Sequence, residues 1–149
     1  MKTGPDSPQE LRARALRLLA RREHTRLELG RKLAPHAESS EALAALLDAL
    51  ERKNQLSDVR YAEERSRQLA RKYGAARIRQ DLRSKGIGDA LLERVSSAGE
   101  LERARAILER KYRTPAATRR ELARRMRFLQ SRGFSSEVIF ALLSAREAA

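Results

Sequence analysis

The chain has no cysteine. That excludes a disulfide framework, a thiolate metal site and a cysteine nucleophile together. It has no tryptophan and only 4% aromatic residues, so a core has to be built from Leu, Ala, Ile and Val, a composition that favours helices over sheets. No segment approaches the ~18 uncharged apolar residues of a membrane span, and the opening MKTGPDSPQE lacks the apolar stretch of a signal peptide. We expect a cytoplasmic protein that does not bind membranes. The four prolines, Pro5, Pro8, Pro35 and Pro115, fall in the tail, at a helix start or in connections, where no helix runs through them.

Catalytic constellations are scarce as well. His24 and His36 are too far apart to pair on one helical face, and no H-x-x-x-H or H-E-x-x-H occurs, which speaks against a metal site. Gly74, Gly86 and Gly88 form neither a phosphate-cradling loop nor a dinucleotide fingerprint. Asp58 beside Ser57 reads as a helix cap, with no strand-turn-helix setting for a nucleophile. The expectation is a protein that is not an enzyme and carries no cofactor.

What the sequence has is basic charge. Lys and Arg number 33 against 20 Asp and Glu, a formal net charge of +13, so polyanions are the expected partners, nucleic acid first and an acidic protein surface second. The apolar residues recur at helical spacing: Leu11, Ala15, Leu18 and Leu19 share a face, as do Leu43, Leu46, Leu47 and Leu50, and later Leu122, Met126 and Leu129. No stretch alternates like a half-buried strand.

The pattern repeats. LARRE (19–23), LARKY (69–73) and LERKY (108–112) each end a predicted helix, and a basic second helix follows each. RKLAPHAESS, QDLRSKGIGD and RFLQSRGFSS then place Leu33, Leu82 and Leu129 equivalently, and a more apolar third helix comes next, in EALAALLDALERK, DALLERVSS and SEVIFALLSA. The chain reads as three tandem three-helix repeats, stacked into an elongated, curved all-α rod. Their bounds are a polar tail 1–7, repeats 8–56, 57–97 and 98–146, and a tail 147–149. The extra residues in TPAATRRE imply a longer loop or an added turn before the last repeat's second helix. Thr25 to Glu28 and Thr118 to Glu121 are T-x-x-E capping signals, and Gly86-Ile87 and Gly133-Phe134 fit left-handed helix stops.

The second helices are the strongest functional signal. Between Arg110 and Arg132 lie nine Arg or Lys and one acid, Glu121, with Arg120, Arg124 and Arg127 opposite the apolar face. In the middle repeat Ile78 and Leu82 face the core while Arg79 and Arg83 point away, with Arg77 at the flank and Lys85 near the end. Arginine suits phosphate because its planar fork gives two parallel hydrogen bonds and does not titrate. Of the aromatic residues, Tyr61, Phe134 and Phe140 read as core, and Tyr73, Tyr112 and Phe128 as the accessible ones.

LSDVRYAEERSRQLARKYGAARIRQDLRSKGI, 56–87, resembles the central signature of the bacterial RecX regulatory proteins, L-S-D-x-x-[FY]-A-E followed by G-x-x-x-I-x-x-x-L-x-x-K-G-I. It is met by Leu56, Ser57, Asp58, Tyr61, Ala62, Glu63, Gly74, Ile78, Leu82, Lys85, Gly86 and Ile87. ALRLLARREHTRLELGRKL looks like the family's first unit and RRMRFLQSRGFSSEVI its last, so the likeness runs from about residue 11 to 146. Thr25 stands where a Ser is common, and Val59 and Arg60 follow Asp58 where a more acidic pair is often seen. The resemblance implies a non-enzymatic regulator that binds RecA filaments on single-stranded DNA and inhibits filament extension, ATPase and strand exchange. It would thereby restrain recombination and the SOS response. The expected contact surface is Arg77, Arg79, Arg83 and Lys85 with Arg119, Arg120, Arg124, Arg125 and Arg127. Expected partners are the RecA filament, single-stranded DNA and, non-specifically, double-stranded DNA, with the protein itself a monomer. A helix-turn-helix-like DNA regulator and a basic helical scaffold for another acidic protein are the rival readings.

Overall fold

The computed structural model describes residues 3–147, and among them all regular structure is helical. Residues 148 and 149 of the expected C-terminal tail, and 1 and 2 of the N-terminal one, lie outside the described residues. The chain forms two compact units, Met1–Glu64 with Ser84–Gly88, and Arg65–Arg83 with Asp89–Ala149.

In the first unit, α1 (Pro8–Arg21), α2 (Arg26–Leu33) and α3 (Ser40–Arg52) pack pairwise around Leu11, Ala15, Leu29, Leu33, Leu47, Leu50 and Leu56. Pro8 occupies the first turn of α1, where its missing N–H is no loss, and Ser7 and Glu10 close a reciprocal cap at 3.2 Å each. Thr25 and Glu28 close the same box on α2, and the wholly buried Thr25 hydroxyl also donates to the Lys85 carbonyl at 2.6 Å. The helix α4 (Asp58–Leu69), of which residues up to Glu64 belong to this unit, is capped by Ser57, whose hydroxyl accepts the Arg60 N–H. Asp58 caps a different helix: its carboxylate accepts the Arg26 N–H at 2.8 Å, at the first turn of α2.

In the second unit, α7 (Glu100–Lys111), α8 (Arg119–Ser131) and α9 (Ser136–Glu147) enclose Ala104, Ile107, Leu108, Leu129, Phe134, Ile139, Leu142 and Leu143. Ahead of them come α5 (Ala75–Ser84) and α6 (Asp89–Leu92). Only four residues of DALLERVSS are helical: after Leu92 the chain tightens into i+3 turns, Arg94 to Leu91 and Val95 to Leu92, and Ser96, Ser97 and left-handed Gly99 do not extend a helix. Leu92 and Val95 are nevertheless buried. TPAATRRE resolves as a loop through residue 118, with no added turn. Thr118 accepts the Glu121 N–H, but Glu121 reaches back to Ala117, one residue short of a closed box.

Backbone apposition holds α5 against the end of α8. The Gly74 N–H donates to the Arg132 carbonyl at 2.8 Å, and a Cβ on Gly74 would stand 2.5 Å from the Gly133 oxygen. Gly133 itself has φ +91, and a Cβ there would meet the Arg77 Cβ at 2.4 Å. The N-terminus of α5 is capped from α7, where the buried Glu100 carboxylate accepts the Ala75 N–H.

Candidate polyanion-binding surface

The two units divide the charge unequally. The first has 13 Lys and Arg against 11 Asp and Glu, a net +2; the second has 20 against 9, a net +11. Nearly all of the chain's basic excess therefore sits in the second unit.

Three of the four expected residues around α5 lie in that unit. Arg83 is exposed and makes no ion pair among the described residues. Arg77 is exposed but engaged: its guanidinium lies 4.7 Å over the Tyr73 ring and donates to the Ser131 carbonyl at 2.8 Å. Arg79 is half-buried and donates to the Val95 carbonyl at 3.1 Å. Lys85 belongs to the first unit, half-buried, its carbonyl taken by Thr25.

On α8, Arg119, Arg120, Arg124 and Arg127 are exposed, and no acid pairs with them among the described residues. Arg120, Arg124 and Arg127 follow i, i+4, i+7 and form one stripe about 10 Å long at the 1.5 Å rise per residue. Arg125 departs from the expectation. It is 6% exposed, its guanidinium lies 4.5 Å over the Tyr112 ring, and its Nη1 has no hydrogen-bond partner. The cause is helical phase: Leu129, one turn on from Arg125, is fully buried, so Arg125 falls on the inward stripe and its apolar stem follows.

The three aromatics expected to be accessible are half-buried, Tyr112 and Phe128 packed against the second unit's core, and each carries its own cations. Tyr73 lies under Arg77 and Arg132, and Phe128 under Lys111 at 4.1 Å and Arg132 at 5.1 Å. Tyr112 meets Phe128 edge-on. Of the residues expected in the core, Tyr61 and Phe134 are buried, but Phe140 is 71% exposed. Ile139, Leu142 and Leu143 form the inward stripe of α9, and Phe140 is turned about 100° away from Ile139.

Sequence reasoning missed one cluster. At the end of α4 and along α7 a groove of about 950 Å³ is lined by Arg67, Arg71, Arg103, Arg110 and Arg113, with Glu109 its one acid. Arg103 and Arg110 are two turns apart on one face of α7; only that spacing was visible in advance, since Arg67 comes from α4 and Arg71 from the turn after it. His24, in the first unit, is 1% exposed; its Nδ1 meets the Arg22 carbonyl and its Nε2 the Lys32 ammonium, each at 3.0 Å. Burial lowers its pKa, against the Arg22 carbonyl, which raises it. Among the described residues no cluster of His, Asp and Glu is arranged to hold a metal ion, and no helix is long and apolar enough to cross a membrane.

Comparison with known proteins decides the family. Residues 57–95 match the family model described as RecX, second three-helix domain, and residues 98–143 that described as RecX, third three-helix domain. The chain belongs to the RecX family. It is 45% identical over 147 residues to the regulatory protein RecX of Ralstonia nicotianae, covering 97% of this chain and 92% of that protein. The regulatory protein RecX of Leptothrix cholodnii is 46% identical over 136 residues, covering 89% of this chain and 87% of its own length. A crystal structure of RecX from Lactobacillus salivarius shares the fold with TM-score 0.84 at 20% identity, over 95% of this chain and 97% of that one. The Ralstonia nicotianae and Leptothrix cholodnii proteins are named as regulatory proteins.

Proposed function

We propose that this chain is a non-enzymatic regulator that binds RecA filaments on single-stranded DNA and inhibits their extension, ATPase and strand exchange, restraining recombination and the SOS response. In this reading it works as a cytoplasmic monomer of three tandem three-helix repeats and holds no cofactor. The observation that carries it is the unpaired arginine stripe of Arg120, Arg124 and Arg127, in the unit with nearly all the excess charge. A family of regulators needs a surface that meets a partner, and exposed arginines without acids fit a polyanionic filament. Arg83 and Arg119 add exposed guanidinium groups, Arg77 keeps the face opposite Tyr73 for a partner, and Arg79 is half-buried. Arg125 is removed from it, and Lys85 contributes only its ammonium.

ATP hydrolysis by preformed RecA filaments on single-stranded DNA, titrated at fixed salt, tests the proposal. Inhibition well below the RecA concentration, absent with an equally basic unrelated protein, supports it. The triple charge reversal R120E/R124E/R127E should lose that inhibition while remaining helical. Inhibition only once there is enough protein to coat the DNA would reduce the role to non-specific polyanion binding.

A further inference from the structure

We infer that the five-arginine groove of α4 and α7 is a second contact surface, one that takes the phosphodiester backbone of a single nucleic-acid strand. It deepens the proposed reading by naming where a strand is held, away from the α8 stripe. Arg103 supplies the first reason. Its Nη1 donates to the Ala98 carbonyl at 3.3 Å, yet Nε and Nη2, the adjacent pair that binds two oxygens side-on, have no hydrogen-bond partner. The Glu100 carboxylate stands 3.9 Å from Nη2, beyond hydrogen bonding. Both nitrogens are shielded from water, so a turn of the Arg103 head towards the groove is what offers them to a phosphate. Donors held dry without an acceptor are destabilising, and an anion entering the groove relieves that.

The walls supply the second reason. Arg67, Arg71 and Arg113 are exposed around the groove, and Arg110 reaches across it to the Arg71 carbonyl at 2.9 Å, keeping the two helices' cations together. Five guanidinium groups against Glu109 in the lining and Glu100 at 3.9 Å from Arg103 leave a net field for anions. The apolar side chains among the lining are the small Ala70 and Ala106 and the buried Ile107, so the groove's polar recognition comes from its guanidinium groups. No aromatic ring lines it, so bases have nothing to stack on, and the contact is with backbone phosphates whatever the sequence. A single strand bends to follow such a wall of arginines, whereas a stiff duplex does not.

The test uses bare labelled oligonucleotides without RecA, so that its failure is separate from failure of the filament reading. R67E/R71E/R113E is compared with R17E/R31E/R52E, an equal charge change at exposed positions of the first unit. The groove triple should bind a single strand about 100-fold more weakly at 0.1 M salt, and its log-log salt slope should fall by about 2, from ~0.7 for each of three phosphates lost. The control triple should leave the slope unchanged. Should the groove triple unfold, R67Q/R71Q/R113Q replaces it with the same expected direction. Equal weakening by both triples overturns the site, as does duplex binding as tight as single-strand binding. Groove-dependent binding of an acidic peptide, with oligonucleotide affinity untouched, overturns the choice of ligand.

Discussion

The first unit, nearly neutral, uses its charges on itself. Arg14 pairs with Asp6, Arg22 with Glu28, Arg26 with both Asp48 and Glu51, and Arg60 with Glu23. Arg65–Asp81 and Arg105–Glu102 are the close pairs of the second unit among the described residues, with Arg103–Glu100 longer at 3.9 Å, and most of its other described arginines are exposed or lie on carbonyls or rings. Surface ion pairs contribute little each, about 0–1 kcal/mol, so the difference says little about relative stability. It is a difference of availability: a guanidinium already fixed by a carboxylate has no edge for a phosphate, and one resting on a ring or carbonyl still has.

If the second unit is held by backbone apposition instead of ion pairs, Gly133→Ala should be the most damaging single methyl in the molecule. Left-handed strain and the contact with Arg77 together should cost at least about 3 kcal/mol in denaturant unfolding, whereas Gly88→Ala, with open space around it, should be near neutral. The two T-x-x-E motifs allow the same comparison across units. Thr25→Ala should cost about 2 kcal/mol, losing a closed box and a buried hydroxyl bonded to Lys85, and Thr118→Ala about 0.5–1 kcal/mol, since its box is half made and exposed. Equal losses would mean that the units share one kind of cap after all.

Arg125→Met is a finer probe. It keeps the stem over Tyr112 and removes a buried N–H that has no acceptor, so unfolding free energy should stay within about 1 kcal/mol of the parent and RecA inhibition should be unchanged. The smallest effect concerns His24. Its folded pKa lies below the ordinary 6.5, so the unfolded chain binds that proton more readily. The stabilising contribution is complete above pH 6.5 and is lost as pH falls through the folded value. Thermal melts from pH 8 to 5 should decline more steeply for the parent than for His24→Gln.

The helices, their caps at Thr25 and Thr118, and the stops at Gly86 and Gly133 were legible because each depends on residues within one turn of one another. What was not legible depends on distant partners. Asp58 caps α2 across 32 residues, and Glu100 caps α5 across 25. Periodicity placed Leu129 inward but left Arg125 among the contact residues, because a charged side chain on the boundary stripe reads as surface until the ring it covers is known. Phe140 was misplaced for the converse reason: α9 is apolar on nearly every side, so pattern alone does not say which side faces in. Of the candidate surface, the α8 stripe was visible in one helix, whereas the groove joins arginines separated by more than thirty residues.

Nineteen residues, Arg65 to Arg83, intervene before the chain returns to the first unit at Ser84–Gly88. During synthesis, the earliest-made helices therefore wait on a segment that leaves the ribosome late, because the Thr25 hydroxyl exchanges water for a protein acceptor only when Lys85 arrives. A truncation ending at Glu64 would leave the Thr25 hydroxyl to water, and a protease nick in the 70–74 turn would cut the covalent link that brings the Lys85 carbonyl to it.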